Sequence, residues 1–302
     1  MPTHKAVLLH EAIDSLHLTG ADTVLDGTIG AGGHARHIAN QLTAAGTLIG
    51  MDMDPAALEQ TRTALANVSC RVMLRTSNYR HLDTVLANAG ILQLDAALFD
   101  LGMRSDQIDA GGRGFSFQRD EPLLMTYSAD PSAHMFTARD IVNEWDQENI
   151  ADVIYGYGGE RYARRIAEQI VQQRQNHPIE TTAQLVDSIY AATPRRYHRS
   201  SIHPATRTFQ ALRIVVNDEI EGLKTALSVL HEYLAPGGRV AVITFHSIEE
   251  RAVKHTFRSW AHAGYGEVQT KKPVEPSDAE VAENPRARSA KLRVYQKNKH
   301  YD

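Results

Sequence analysis

The feature that most constrains this chain is a rhythm in its first hundred residues, where short apolar runs alternate with segments of helical period. Thr23-Val-Leu-Asp26 leads into the glycine-rich turn Gly27-Thr-Ile-Gly30-Ala-Gly32-Gly33-His34 and then a helix through His37, Ile38 and Leu42. Residues 47–51 read as a second strand, stopped by Asp52-Met-Asp-Pro55. That proline suits a first helical turn, because its missing N–H has no partner to lose there. The pattern predicts a helix over 56–66, a strand near 71–74, a helix over 82–88 and a strand over 94–99, followed by Asp100. Short apolar strands alternating with helices specify a parallel sheet with helices on both faces.

The rhythm breaks after Asp100. Residues 101–117 are glycines and polar residues without period, and a long helical stretch follows. Within residues 160–174, Ala163, Ile166, Ala167, Ile170 and Val171 fall at i, i+3, i+4, i+7 and i+8, one buried stripe, with Arg161, Arg165 and Gln172 away from it. The sheet then resumes. A helical pattern over 217–234 ends at Ala235-Pro-Gly-Gly238, residues 239–245 read as a buried strand, and Ser247 and Glu250 have capping-box spacing at the next helix. A last strand is expected over 290–295. The expected organisation is an α/β domain, residues 1–105 and 215–302, interrupted by a helical insertion, 106–214.

A chain of 302 residues, 42% hydrophobic and 23% charged, is neither a miniature scaffold nor compositionally disordered. Its one cysteine, Cys70, excludes an intramolecular disulfide and a cysteine-rich zinc module. No apolar run approaches the roughly 20 residues needed to span a bilayer, so a cytoplasmic protein without membrane association is expected. The net charge is −4, yet residues 160–213 hold nine basic against four acidic side chains, and the last eighteen residues hold six against one. Polyanions respond to local potential, so a basic binding face is compatible with an acidic total; a solvated helix surface and charged tail are the alternative.

Three aspartates end three strands beside the glycine turn. Asp26 would repel a pyrophosphate at close range and attract an ammonium or sulfonium group. Asp52, 22 residues after Gly30, is placed to accept hydrogen bonds from two ribose hydroxyls. Asp100 could meet an adenine amino group or an amino-acid end. Gly30, Gly32 and Ala35 satisfy only a loose dinucleotide fingerprint. With no lysine nearby, the set suggests a phosphate-free nucleoside, and S-adenosylmethionine fits. The alternative is that Asp26 and Asp52 cap helices while the glycines pack the turn; His34 could face the ligand or bond the turn. No HExxH motif, phosphate loop, nucleophile elbow or clustered metal ligands compete, and no metal is expected.

The strings GTIGAGGHAR (27–36), DLGMRSDQID (100–109), RGFSFQRDEPL (113–123), YGGERYARRIA (157–167), HPATRTFQALRIVVNDEI (203–220), LAPGGRVAVITFHSIEER (234–251) and NPRARSAKLR (284–293) together resemble the bacterial MraW family along essentially the whole chain. The resemblance implies a class I S-adenosylmethionine-dependent methyltransferase, Rossmann-like with an inserted helical domain, that methylates the exocyclic N4 of a cytidine in 16S rRNA. By resemblance Gly32, Gly33, His34, Asp52, Tyr79, Asp100 and Gln107 are cofactor-binding positions. The loop from Asp100 to Ser105 is the candidate for holding the target amine. Arg164, Arg165, Arg195, Arg196, Arg199, Arg207 and Arg213 are candidates for RNA contact, the last two in a strongly family-like segment. The small ribosomal subunit or its precursor is the implied partner; a homodimer is compatible with so large an RNA, although no segment reads as a partner helix. Arg104, Leu124 and Thr126 depart from the family's usual serine, aspartate and arginine. They leave open an RNA-binding assembly factor without methylation, or a methyltransferase on another substrate.

Overall fold

The computed structural model describes residues 5–103, 112–128, 130–199 and 202–299. The chain divides into two compact units, Met1–Gly102 with Ile220–Asp302, and Met103–Glu219.

The first unit begins with α1 (Leu9–Leu16), β1 (Thr23–Asp26), α2 (Gly33–Gln41), β2 (Thr47–Asp52), α3 (Pro55–Ala64), β3 (Arg71–Thr76), α4 (Leu82–Ala89) and β4 (Leu94–Asp100). β1 lies parallel between β2 and β4, and β3 lies parallel outside β2. Apolar residues run along β1, β2 and the part of β4 after Asp95 without polar alternation because both faces are covered, whereas the edge strand β3 is partly exposed. Val24, Leu48 and Leu98 enter one core, while their neighbours Leu25, Ile49 and Phe99 enter another; all six are fully buried. The period of two thus delivers alternate residues to two helical layers.

The second unit is helical, with α5 (Ala138–Glu144), α6 (Gln147–Gly158), α7 (Ala163–Arg174), α8 (Thr182–Ala192) and α9 (Thr206–Val216). Thr137 with Asp140 and Thr181 with Gln184 form capping boxes that start α5 and α8. On α7, Ala163, Ile166, Ala167 and Ile170 are buried in one core, as the periodicity requires. The helix starts at Ala163 rather than 160, since the buried Glu160 carboxylate instead accepts the Tyr162 N–H. Phe115 stacks on Tyr127 and Phe117 on His203, so both rings serve the internal packing of this unit.

The helix expected over 217–234 is shorter. α9 stops at Val216, Asp218 takes a left-handed conformation with φ 47°, and α10 (Glu219–Tyr233) starts immediately after it. Asn217 holds this break by donating through Nδ2 to the carbonyls of Met125 and Arg213. β5 (Leu234–Thr244), α11 (Ser247–His262), β6 (Gly266–Val268), α12 (Asp278–Glu283) and β7 (Lys291–Lys297) complete the first unit. The capping box of α11 falls one residue earlier than its sequence spacing suggests, with His246 as cap and Glu249 as partner. β5 pairs parallel with β4, whereas β7 runs antiparallel to both β5 and β6. The sheet order β3-β2-β1-β4-β5-β7-β6, with one reversed strand and helices between strands, is that of a class I methyltransferase domain. No helix among the described residues is long and apolar enough to cross a membrane.

Candidate active site

The strand order reverses between β1 and β4, adjacent in the sheet but distant in sequence. In an open α/β sheet, ligands bind in the crevice that such a switch leaves at the carboxyl ends of the strands. Asp26 and Asp100 are the last residues of those two strands, and Asp52 is the last residue of β2.

The glycine turn is stitched to both neighbouring strands. Gly27 N–H donates to the Leu98 carbonyl and Ile29 N–H to that of Met51, each at 2.9 Å. A Cβ on Gly27 would stand 2.3 Å from Cε1 of Phe99, so no side chain fits. Gly30 and Gly32 have φ of 52° and 83°, the left-handed region where glycine is favoured. Thr61, fully buried on α3, donates through Oγ1 to the Gly30 carbonyl at 2.7 Å. Gly32 caps α2 without a side-chain hydrogen bond, leaving the first-turn N–H groups of that helix uncovered by a capping oxygen.

Neither Asp26 nor Asp52 is a helix cap. Asp54 caps α3 by accepting the Ala56 N–H at 2.9 Å. Asp52 accepts the Gly30 N–H through Oδ2 at 3.0 Å and the Asp54 N–H through Oδ1 at 2.8 Å, which fixes its carboxylate between the glycine turn and the end of β2. Asp26 accepts the Thr28 N–H at 3.2 Å inside the turn, and Thr28 Oγ1 in turn accepts the Asp100 N–H at 2.6 Å.

The electrostatics of this group favour a positively charged ligand. Burial pushes the Asp26 carboxyl up to about 7, against the pull of the Thr28 N–H and with a further push from Asp52. Asp100 is held well above the ordinary carboxylate range, first by burial, then by the charges of Asp26 and Glu249. Its Oδ1 is buried without a hydrogen-bond partner among the described residues. Crowded dry carboxylates with an orphaned oxygen favour a ligand bearing positive charge and N–H donors. These groups fit S-adenosylmethionine, whose ammonium and sulfonium are cationic and which has no phosphate to be repelled.

His34 is buried, with Nε2 3.0 Å from the Val7 carbonyl and Nδ1 3.6 Å from Oδ2 of Asp100. The ring thereby ties the N-terminal segment to an aspartate of the site. Gly33 packs closely on Ala6, where a Cβ would come within 3.0 Å. Tyr79 opens a short 3-10 turn after β3 and presents its ring edge-on to Phe99, centroids 6.2 Å apart. Ser105 and Gln107 lie outside the described residues, as does Arg104. Thr28, Thr61 and Glu249 escaped the sequence reading. Thr61 had a faint signal, as a polar residue on the apolar face of α3; Glu249 had one in its i, i+3 spacing from His246.

Among the basic candidates, Arg164, Arg165, Arg195, Arg196 and Arg199 are exposed and Arg207 is half-buried. Arg213 differs. Only 12% of its side chain is exposed, and its guanidinium donates to both carboxylate oxygens of Glu219, at 2.7 and 2.8 Å. A bidentate partner so placed occupies the fork that phosphate would need, so Arg213 is an internal clamp rather than a presented RNA contact. Thr126 is also fully buried, donating to the Ser128 carbonyl at 3.0 Å, and its departure from the family pattern belongs to the packing of the second unit.

The chain is 44% identical over 309 residues to a protein of Brevibacillus brevis named ribosomal RNA small subunit methyltransferase H, covering 97% of this chain and 98% of that one. A protein of the same name from Symbiobacterium thermophilum is 45% identical over 306 residues, covering 96% and 95%. One from Synechococcus elongatus is 44% identical over 291 residues, covering 96% and 93%. The model of the MraW methylase family matches residues 1–298. With strand-end aspartates, a glycine turn and a match along nearly its whole length, this chain belongs to the MraW methylase family.

Proposed function

We propose that the protein transfers a methyl group from S-adenosylmethionine to the exocyclic N4 of a cytidine in 16S rRNA, on the small ribosomal subunit or its precursor in the cytoplasm. The observation that carries this reading is the buried Asp26–Asp100 pair, in which Asp100 keeps an oxygen without a hydrogen-bond partner among the described residues while burial, and then the charges of its neighbours, hold its carboxyl well above the ordinary range. The family membership supplies the reaction, and its relatives bear the name of a ribosomal RNA methyltransferase.

S-adenosylmethionine supplies a methyl group activated on a sulfonium. Around it, Gly32 and Gly33 would let the donor approach backbone N–H groups, and Asp52 would accept from the ribose hydroxyls with lone pairs not taken by Gly30 and Asp54. Tyr79 would flank the adenine, Gln107 would add a polar contact, and Asp26 and Asp100 would face the cationic amino-acid end, with His34 holding Asp100 in place.

A cytosine N4 lone pair is delocalised into the ring, so alignment with the methyl carries much of the rate. The 100–105 loop is assigned that task, with Asp100 and Ser105 as the groups that touch the amine. Its start is well fixed: Leu101 N–H donates to the Ile243 carbonyl at 3.0 Å, and Gly102, at φ 100°, turns the chain beside Phe245. In this reading residues 1–105 and 215–302 perform the transfer and residues 106–214 recognise RNA. Arg164, Arg165, Arg195, Arg196, Arg199 and Arg207 would position the phosphate backbone, contacts that orient without specifying sequence.

The test is transfer of tritium from methyl-labelled S-adenosylmethionine into purified small subunits lacking the modification. Saturable incorporation that Asp52→Ala slows at low donor concentration is expected. Donor binding without incorporation into free 16S rRNA, immature subunits or mature subunits would overturn the reading.

A further inference from the structure

The second unit carries a groove built only from residues of the insertion. It is open to solvent and spans about 420 Å3 between α7 and the end of α8. One wall is Arg165, Glu168, Gln169 and Gln172, and the other is residues 191–194. At 100° per residue the first wall is the stripe of α7 opposite the buried Ala163, Ile166, Ala167 and Ile170. Core packing thus leaves this wall turned away from the interior.

The far wall is held firmly. Thr193 is buried and donates through Oγ1 to the Ile189 carbonyl at 2.7 Å, with the same oxygen 2.9 Å from Nε2 of His198. Tyr197 donates its hydroxyl to the buried Glu160, and Arg161 lies over the rings of Tyr162 and Tyr197, at 4.8 and 5.1 Å. Arg195, Arg196 and Arg199 are therefore carried on a pinned segment, directly after the residues that line the groove, and all three are exposed. A pre-ordered arginine segment costs little further entropy on binding.

The chemistry of the walls selects the ligand. The volume falls within the range of about 300–1,000 Å3 usual for small-ligand clefts, which suits one nucleotide unit and is too small for a duplex. Arg165, Gln169 and Gln172 make no side-chain hydrogen bond among the described residues. Two carboxamides offer donors and acceptors together, the pattern needed for a base edge, while arginines suit phosphate. Glu168 offers an acceptor for a base amino group or a ribose 2′-hydroxyl, and it disfavours a bare anion. We propose that this groove binds one unstacked nucleotide of single-stranded RNA outside the target cytidine, its base edge on Gln169 and Gln172 and its phosphates on Arg165 and Arg195. The inference rests on the RNA-methyltransferase reading above and adds to it a second point of substrate attachment.

The test uses the full-length protein and the double variant Gln169→Ala/Gln172→Ala, both changes being at solvent-accessible positions. Three readouts are taken: methyl-transfer kinetics on small subunits, affinity for a fluorescein-labelled single-stranded oligoribonucleotide of 16S sequence, and photo-crosslinking of the same oligomer carrying 4-thiouridine. The expected result is a KM for subunits raised about tenfold or more with kcat and donor affinity unchanged, weaker oligomer binding, and wild-type crosslinks within residues 165–194. Unchanged KM and oligomer affinity with crosslinks elsewhere would overturn the groove while leaving the methyltransferase reading intact. Absence of transfer by the wild type would overturn that reading instead, and the oligomer measurements would still decide the groove. Selective loss of affinity for an acidic peptide, with RNA binding preserved, would assign the groove to a protein and overturn the proposal.

Discussion

Nδ1 of His34 lies 3.6 Å from Oδ2 of Asp100, while Nε2 of the same ring lies 3.0 Å from the Val7 carbonyl. A carbonyl can only accept, so Nε2 carries a proton and Nδ1 faces the aspartate with a lone pair or a second proton. The imidazole thereby links residue 7, at the chain's beginning, to the end of β4. His34→Ala leaves the buried Val7 carbonyl without this donor and Asp100 without this neighbour. A loss of about 1–3 kcal/mol in unfolding free energy is expected from a denaturant titration, with weaker donor binding by calorimetry. Unchanged stability would show that the ring is not a structural link.

Asp26 predicts a specific pH dependence. An unfolded aspartate titrates near 3.8, whereas folded Asp26 keeps its proton up to about 7. Between these values the folded state binds more protons than the unfolded state, so stability falls as pH rises from about 4 through 7, and Asp100 acts in the same sense. Asp26→Asn should flatten this slope, and its advantage in Tm over the wild type should grow up to about pH 8. Donor binding runs the other way. A cation prefers ionised Asp26, so wild-type affinity should rise across pH 6–8 with proton release near pH 6, read by calorimetry in two buffers of different ionisation enthalpy. Donor affinity independent of pH would contradict the assignment.

Asp52 has two duties, and a variant separates them. Its carboxylate holds the N–H groups of Gly30 and Asp54 and would also hold the ribose. Asp52→Ala should raise the donor Kd about 10- to 150-fold, the worth of charge-assisted hydrogen bonds of about 1.5–3 kcal/mol. A donor analogue lacking one ribose hydroxyl should lose less affinity in the variant than in the wild type. Equal losses in both proteins would leave Asp52 with only its turn-holding duty.

The three aspartates are visible in the sequence because each follows a short apolar run that reads as a buried strand, and the glycines beside Asp26 mark a tight strand-to-helix turn. Helix ends were less legible. Residues 217–234 carry a helical pattern throughout, and nothing in that pattern marks the left-handed Asp218 that breaks it. Once the chain turns there, Glu219 comes within reach of Arg213, so the clamp depended on an unseen kink. The start of α11 was ambiguous because His246 with Glu249 and Ser247 with Glu250 share one spacing; the extended backbone of His246, φ −141°, decides between them. Glu249 acts on Asp100 from a distant part of the sequence, a relation that only the pairing of β4 with β5 creates.

The arginines divide into two experimental classes. Arg213→Ala removes the cation from the buried Glu219 carboxylate, which keeps the Tyr127 hydroxyl at 2.9 Å, and should cost about 3–5 kcal/mol of stability, with little effect on the RNA affinity of the folded fraction. Arg164→Ala and Arg165→Ala, at exposed positions, should leave Tm nearly unchanged. Each should weaken RNA binding and lower the slope of log Kd against log salt concentration by about one. A stable Arg213→Ala protein with a reduced salt slope would reverse the assignment.

Mass spectrometry of nucleosides from 16S rRNA, compared between cells that carry this gene and cells that lack it, reads substrate, modified atom and activity at once. The account predicts one N4-methylated cytidine product that disappears with the gene and returns on complementation with the wild type but not with an Asp100→Ala variant. Identical nucleoside profiles with and without the gene would contradict it.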